Sequence, residues 1–300
     1  MDTLIQVENL KKYFDEKLIL KDLSFYLDKG EIVGFLGPNG AGKSTTIRSL
    51  IGIYSYDSGK IQFNTTKKNT VESIGYLPEE RGMYKTVTVE DMLLYFAELK
   101  NYPKKQAKNK MIKHLKKFKL ENQLHTKIQN LSKGMSQKIQ FIASIIHEPE
   151  ILILDEPFSG LDPISQTIFK EEIKNLAKKG TGIFFSSHQM NVVEEMCDRV
   201  YLLNKGEFVL SGPLEDIKKE HGGYVCSITK PKEDIQTIKK NLPETEKIET
   251  DEKTIRIHFS NQIKKQDILN KISKLNFEEI KLEHASLHDI YIKLIGENNK

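Results

Sequence analysis

The clearest chemistry in the chain is carried by Gly37-Pro38-Asn39-Gly40-Ala41-Gly42-Lys43-Ser44-Thr45, which fits G-x-x-x-x-G-K-[ST] in full. Its glycines let the backbone turn tightly, so that successive N–H groups point into an anion-binding nest. A helix that begins near Lys43 adds its positive dipole end to that nest. Lys43 is placed to reach the outer phosphates of a nucleotide, and the Ser44 hydroxyl suits Mg²⁺. A second constellation is Ile151-Leu152-Ile153-Leu154-Asp155-Glu156-Pro157. An apolar strand ending in acid delivers Asp155 to the carboxyl edge of a sheet, where ligands of α/β folds bind. There Asp155 can hold Mg²⁺, directly or through water, and Glu156 can orient and deprotonate an attacking water.

Between these two lies Leu131-Ser132-Lys133-Gly134-Met135, followed by a helix-like run with Ile139, Ile142 and Ile146. With the three elements in this order, the chain resembles the ABC-type ATPases, whose signature is L-S-G-G-Q. The resemblance covers about Leu4 to Asp216. It implies ATP and Mg²⁺ as ligands and a segment, Ser132 and Gly134, that caps the ATP bound to an opposite subunit. Lys133 stands where the family has its first glycine, and Met135 where it has glutamine. In Gly75-Tyr76-Leu77-Pro78-Glu79-Glu80-Arg81 the chain has Glu79 at the family's glutamine, a carboxylate that still reaches Mg²⁺ or water. In the family this loop couples nucleotide to a transmembrane partner, and the wording P-E-E-R-G resembles export-type subunits, including sodium and drug exporters. Ser159-Gly160-Leu161-Asp162 resembles the loop through which paired subunits sense each other's sites. Ser187-His188 resembles the switch histidine that contacts the γ-phosphate, and Tyr13 aligns with the aromatic that stacks on adenine. Ser286-Leu287-His288-Asp289-Ile290-Tyr291 resembles a segment common in C-terminal extensions of export-type subunits. Dimer contact, regulation and simple packing remain open for that tail.

These residues need an α/β scaffold: a phosphate-binding-loop core with a mostly parallel sheet, a small antiparallel β subdomain and a helical subdomain. Strand-like runs fall at Leu4 to Val7, Leu18 to Leu27, Glu31 to Leu36, Lys60 to Phe63 and Ser73 to Leu77. The run Lys43 to Ile51 reads as a helix. Helical spacing dominates from about 80 to 147, with Thr88 and Asp91 at capping-box spacing ahead of Met92 and Leu93. Lys104 to Lys119 shows apolar residues at Met111, Ile112, Leu115 and Phe118 among lysines, which we read as a solvated basic helix rather than one on lipid headgroups. Strands and helices then alternate: Ile151 to Leu154, Ile164 to Lys178, Ile183 to Ser186, Met190 to Cys197, Val200 to Leu203 and Glu207 to Leu210. Gly222-Gly223 reads as a boundary, giving an ATP-binding domain over 1–220 and a small α+β domain over 221–300. In the latter, Tyr224 to Thr229 and Thr254 to Phe259 are strand-like, and Asp234 to Asn241 and Gln266 to Leu275 helical.

Composition narrows the function classes. The 300 residues carry a net charge of +4, almost all of the basic excess being lysine. With arginine only at positions 48, 81, 199 and 256, the chain lacks the guanidinium forks of a base-reading protein, so no nucleic-acid partner is expected. Cys197 and Cys226 form no CxxC pattern and imply a reducing compartment. No apolar run approaches the ~18 residues a membrane span needs. The expectation is therefore a cytoplasmic subunit, peripheral to the inner face of the membrane, that works as a homodimer or heterodimer beneath transmembrane permease subunits. The rival readings are an ABC-type ATPase acting on ribosomes or DNA and a phosphate-binding-loop kinase. The first usually carries two cassettes or long coiled-coil insertions, and the second would not need Ser132 or His188.

Overall fold

Three runs are buried along their whole length, Ile32–Leu36, Ile151–Asp155 and Gly182–Ser187. Such near-continuous apolar strands belong to the centre of a parallel sheet covered on both faces. The computed structural model describes residues 2–67, 69–80, 82–229, 238, 242, 245–251, 253–273 and 277–298. It forms two compact units, Met1–Ser211 and Gly212–Lys300.

In chain order the first unit contains β1 (Thr3–Phe14), β2 (Lys17–Asp28), β3 (Ile32–Leu36), α1 (Lys43–Leu50), β4 (Ser58–Phe63), α2 (Thr70–Ser73) and β5 (Ile74–Leu77). It continues with α3 (Val89–Leu99), α4 (Lys104–Lys117), α5 (Lys133–Ile145), β6 (Ile151–Asp155), α6 (Pro163–Lys178), β7 (Gly182–Ser187), α7 (Met190–Met196), β8 (Arg199–Asn204) and all but the last two residues of β9 (Glu207–Pro213). One sheet has the order β5-β6-β7-β3-β8-β9, and its β5–β6, β6–β7, β3–β7 and β3–β8 pairs are parallel. A second sheet, β2-β1-β4, is antiparallel. The expected α/β core with a separate antiparallel sheet and a group of helices is what the chain forms.

Register decides where the chemistry goes. Leu77 pairs with Leu154, Asp155 with Ser186, and Leu36 with Ser187. The loops after β3, β5, β6 and β7 therefore all leave from one edge of the sheet, the carboxyl edge where α/β folds bind ligands. Beneath that edge Phe25, Phe35, Phe184 and Tyr201 form an aromatic core, with Phe35 and Phe184 centroids 4.9 Å apart. The helices have their own centre, where Phe118, Phe141 and Phe169 are fully buried and the last two lie 4.5 Å apart. Thr88 caps α3 as its spacing implies, accepting from the Asp91 N–H at 3.1 Å and donating to Asp91 Oδ2 at 2.6 Å.

On α4, Met111, Leu115 and the following Phe118 are buried, but Ile112 is 59% exposed. The helix buries only the stripe of Ala107, Met111 and Leu115, and Ile112 falls beside that stripe, so the expected four-residue apolar face is narrower by one.

The second unit holds α8 (Leu214–His221), β10 (Tyr224–Thr229), β11 (Thr245–Thr250), β12 (Thr254–Phe259), α9 (Lys265–Ile272), β13 (Glu279–His284) and α10 (Leu287–Asn298). Its antiparallel sheet runs β11-β12-β10-β13, over a core that includes Cys226, Ile228, Ile257, Ile268 and Ile272. The division falls at Ser211 and Gly212, ahead of α8, rather than at Gly222-Gly223. The double glycine lies inside the unit, where a Cβ on Gly223 would sit 1.7 Å from the Phe259 carbonyl oxygen. The expected helix Asp234 to Asn241 lies outside the described residues apart from Ile238, as does Arg81.

The largely covered His114 and the buried His147 give the first unit a pH dependence. Burial holds His114 down to about 4 against 6.5, with Glu172 opposing and Lys110, Lys117 and Lys113 assisting. Burial, then Lys100 and Lys67, holds His147 to about 3. Both folded values lie below the unfolded one, so below pH about 6.5 the unfolded chain takes up protons that the folded chain refuses. Their stabilisation is complete above that pH and is lost as pH falls toward 4. Urea unfolding of this unit is expected to lose about 1–2 kcal/mol per histidine between pH 7 and pH 5. H114Q is expected to flatten the slope in this window.

Candidate active site

The loop after β3 is shaped by glycine. Gly37 has φ +153° and a Cβ there would lie 2.2 Å from the Leu203 carbonyl oxygen, while Gly42, at φ +113°, opens α1. Pro38, Asn39 and Gly40 are exposed, Ala41 and Gly42 buried, and Ser44 and Thr45 half-buried. Lys43 folds over the loop, its Nζ donating to the Gly37 carbonyl at 2.7 Å and to the Pro38 carbonyl at 3.2 Å. Burial lowers the Lys43 pKa, while Glu156, Asp155 and Glu79 pull it up. One lysine thus lies within the field of three carboxylates drawn from two other loops.

Asp155 is 2% exposed and ends β6. Its Oδ1 accepts from the Ser186 hydroxyl at 2.5 Å, and its Oδ2 is buried with no hydrogen-bond partner. An orphaned anionic oxygen is costly in a protein interior unless a cation completes it. The donor set fits Mg²⁺, a hard ion that takes carboxylate and hydroxyl oxygens: the exposed Glu79 lines one cavity with Asp155, and Ser44, in the first turn of α1, is the hydroxyl that could join them.

Glu156 takes the left-handed region, φ +48°, uncommon for a residue with a Cβ. Its N–H donates to Ser186 Oγ at 3.1 Å, and its Oε1 meets His188 Nδ1 at 3.0 Å. Burial raises the Glu156 pKa, and the His188 contact and Lys43 act against it. A largely covered carboxylate with a raised pKa beside an exposed imidazole has the character of a general base.

A cavity of about 110 Å³ adjoins these acids, lined by Glu79, Asp155, Glu156, Lys133, Gln137 and Gln140 among others. Lys133, Gln137 and Gln140 share one face of α5 by their spacing. Gln137 Nε2 donates to the Pro157 carbonyl at 3.0 Å and Gln140 Nε2 to the Glu80 carbonyl at 3.2 Å, which ties the helix to both acid-bearing loops.

Lys43, Glu79, Asp155, Glu156 and His188 are therefore brought together. Tyr13, Ser132, Gly134 and Asp162 make no described contact with that group. Tyr13 is 41% exposed and its N–H donates to Asp57 Oδ2 at 2.7 Å. Ser132 is exposed and caps α5 by accepting from the Met135 N–H at 3.2 Å, and a Cβ on Gly134 would meet open space. Asp162 caps α6, where the Ser165 hydroxyl and N–H hold its carboxyl below the usual range.

Sequence reasoning overlooked Ser186, Gln137 and Gln140. A serine in an otherwise apolar buried strand, and glutamines on the buried stripe of a helix, are the signals that mark them, since a buried polar group needs a partner.

A family model described as "ABC transporter" matches residues 20–159, and one described as "ATP-binding protein DrrA1-3-like, C-terminal domain" matches residues 212–295. The chain is 36% identical to the uncharacterized ABC transporter ATP-binding protein YhaQ of Bacillus subtilis, over 98% of this chain and 99% of that one. It is 37% identical to the linearmycin resistance ATP-binding protein LnrL of the same organism, covering 73% of this chain and 72% of that one. Among solved structures, an "ATP binding subunit of ABC transporter" superposes with a TM-score of 0.69 at 32% identity, covering 72% of this chain and 92% of that one.

Proposed function

Because the chain belongs to the ATP-binding proteins of ABC transporters, we propose that it hydrolyses ATP to drive export through separate membrane subunits, two ATP-binding chains closing head to tail around two nucleotides. The observation that carries this reading is the convergence of Lys43, Asp155 and Glu156 on one edge of the sheet, with Asp155 Oδ2 left for a cation.

In this reading the N–H groups of Gly37 to Thr45 cradle the phosphates, and Lys43 exchanges its carbonyl partners for the outer ones. Ser44, Asp155 and Glu79 would hold magnesium, which when bound would supply positive charge to offset that of the phosphates. Glu156 orients a water and takes its proton, its raised pKa placing it nearer the working pH. His188 holds the Glu156 carboxyl and faces the γ-phosphate. Tyr13 stacks on the adenine. Ser132 and Gly134 of the second chain cap the γ-phosphate, and Asp162 lies where the two chains meet. Burial of nucleotide between two chains excludes water and strengthens each of these contacts.

Among the described residues no helix is long and apolar enough to cross a membrane, and in this reading separate partner subunits span it. Export of a drug-like cargo is supported by the DrrA-like C-terminal domain and by the linearmycin-resistance relative, whereas the sodium alternative rests on the P-E-E-R-G resemblance alone. Affinity purification of the tagged chain from detergent-solubilised membranes tests this. A multi-spanning membrane protein is expected to co-purify; recovery with ribosomes or DNA instead contradicts it.

A further inference from the structure

Ser186 sits at the centre of the acid cluster without belonging to any motif. It is fully buried on β7, between Phe185 and Ser187, and directly opposite Asp155 in the parallel register. A buried hydroxyl is costly unless bonded, and this one is bonded twice. It donates its single proton to Asp155 Oδ1 at 2.5 Å and accepts the Glu156 N–H at 3.1 Å. Ser187 is otherwise engaged, its Oγ accepting from the Gln189 N–H at 2.9 Å.

We propose that Ser186 is the positioning residue for both carboxylates: its hydroxyl occupies Asp155 Oδ1, leaving Oδ2 for the cation, and pins the backbone of Glu156 so that its side chain meets His188. Two observations carry this. Asp155 Oδ2 is the oxygen without a partner, which fixes the division of labour between the two carboxylate oxygens. Glu156 holds φ +48°, which the surrounding structure must enforce. The restraints on its peptide groups are the bond to Ser186 and the Ser159 N–H donating to the Glu156 carbonyl at 3.2 Å.

The proposal rests on the ATPase reading, and its test separates the two. Binding of a fluorescent ATP analogue is titrated with Mg²⁺ for the full-length wild type, S186A and S186T, and steady-state ATP turnover is measured on the same preparations. Removal of a group that orients a metal ligand costs about 10–100-fold in metal affinity. S186A is therefore expected to need at least about tenfold more Mg²⁺ for half-saturation, and to lose about tenfold in kcat with KM for ATP nearly unchanged. Binding of the analogue without Mg²⁺, which depends on the loop after β3, stays as in the wild type. S186T keeps the hydroxyl and restores both quantities. An S186A protein with wild-type Mg²⁺ dependence and kcat overturns the proposal, as does an S186T protein as impaired as S186A. A wild-type chain that binds no analogue overturns the ATPase reading itself, and this proposal with it.

Discussion

Glu156→Gln is expected to lower ATP turnover by about 10²–10⁴-fold, the range for removal of a general base, while nucleotide binding is retained. The substitution keeps the shape of the side chain and its capacity to bond His188, which now lies 3.0 Å from Oε1. It removes only the ability to take a proton. Burial raises the Glu156 pKa, so at neutral pH the carboxylate is a stronger base than an exposed glutamate. Steady-state phosphate release measured beside equilibrium nucleotide binding checks this. Turnover at the wild-type rate in E156Q would take Glu156 out of the base role.

Lys43→Ala has the second large effect, and it falls on binding rather than on turnover alone. Lys43 is 7% exposed and its ammonium now leans on the Gly37 and Pro38 carbonyls. In the proposed reading, the same ammonium is the charge that meets the outer phosphates of a bound triphosphate. Truncating one partner of such a buried, charge-assisted contact costs about 2–5 kcal/mol, or roughly 30-fold to several thousandfold in affinity. Isothermal titration with Mg-ATP reads that loss directly. Arginine is a poor substitute, because a wide planar fork does not fit where a compact ammonium lies against two carbonyls. Affinity within a few-fold of wild type in K43A would contradict the assignment.

What the sequence revealed of this site is the part that works through local backbone geometry. The run Gly37 to Thr45 is legible because its glycines and lysine act within one turn of chain. The acids of β6 are legible because an apolar strand that ends in carboxylates can only present them at a sheet edge. The Ser186 clamp was hidden, since it exists only once β6 and β7 pair in parallel with Asp155 opposite Ser186. The left-handed conformation of Glu156 was hidden for the same reason: a φ of +48° follows from tertiary restraint and not from residue type.

Asp162 shows the opposite case. The resemblance directs attention to contact between subunits, whereas its immediate text, Asp162-Pro163-Ile164-Ser165, also spells a helix start with Pro at the first position. The chain uses it so, and the capping role is compatible with a surface role because the carboxylate remains exposed. Ile112 illustrates the limit of periodicity. Adjacent apolar residues on a helix cannot both face a narrow contact, and packing, not hydropathy, selected Met111. The domain boundary moved to Gly212 because α8 is built into the second unit, and a double glycine marks a close backbone approach as readily as a linker.

The proposed account turns on a nucleotide site that a second chain completes, with Ser132, exposed at the start of α5, as the group that chain would supply. Light scattering of E156Q eluting from a sizing column tests it most directly, with and without Mg-ATP. The expected result is a shift from the mass of one chain to that of two only when Mg-ATP is present, abolished by adding Ser132→Arg. A protein that binds Mg-ATP yet stays at the mass of a single chain would contradict it.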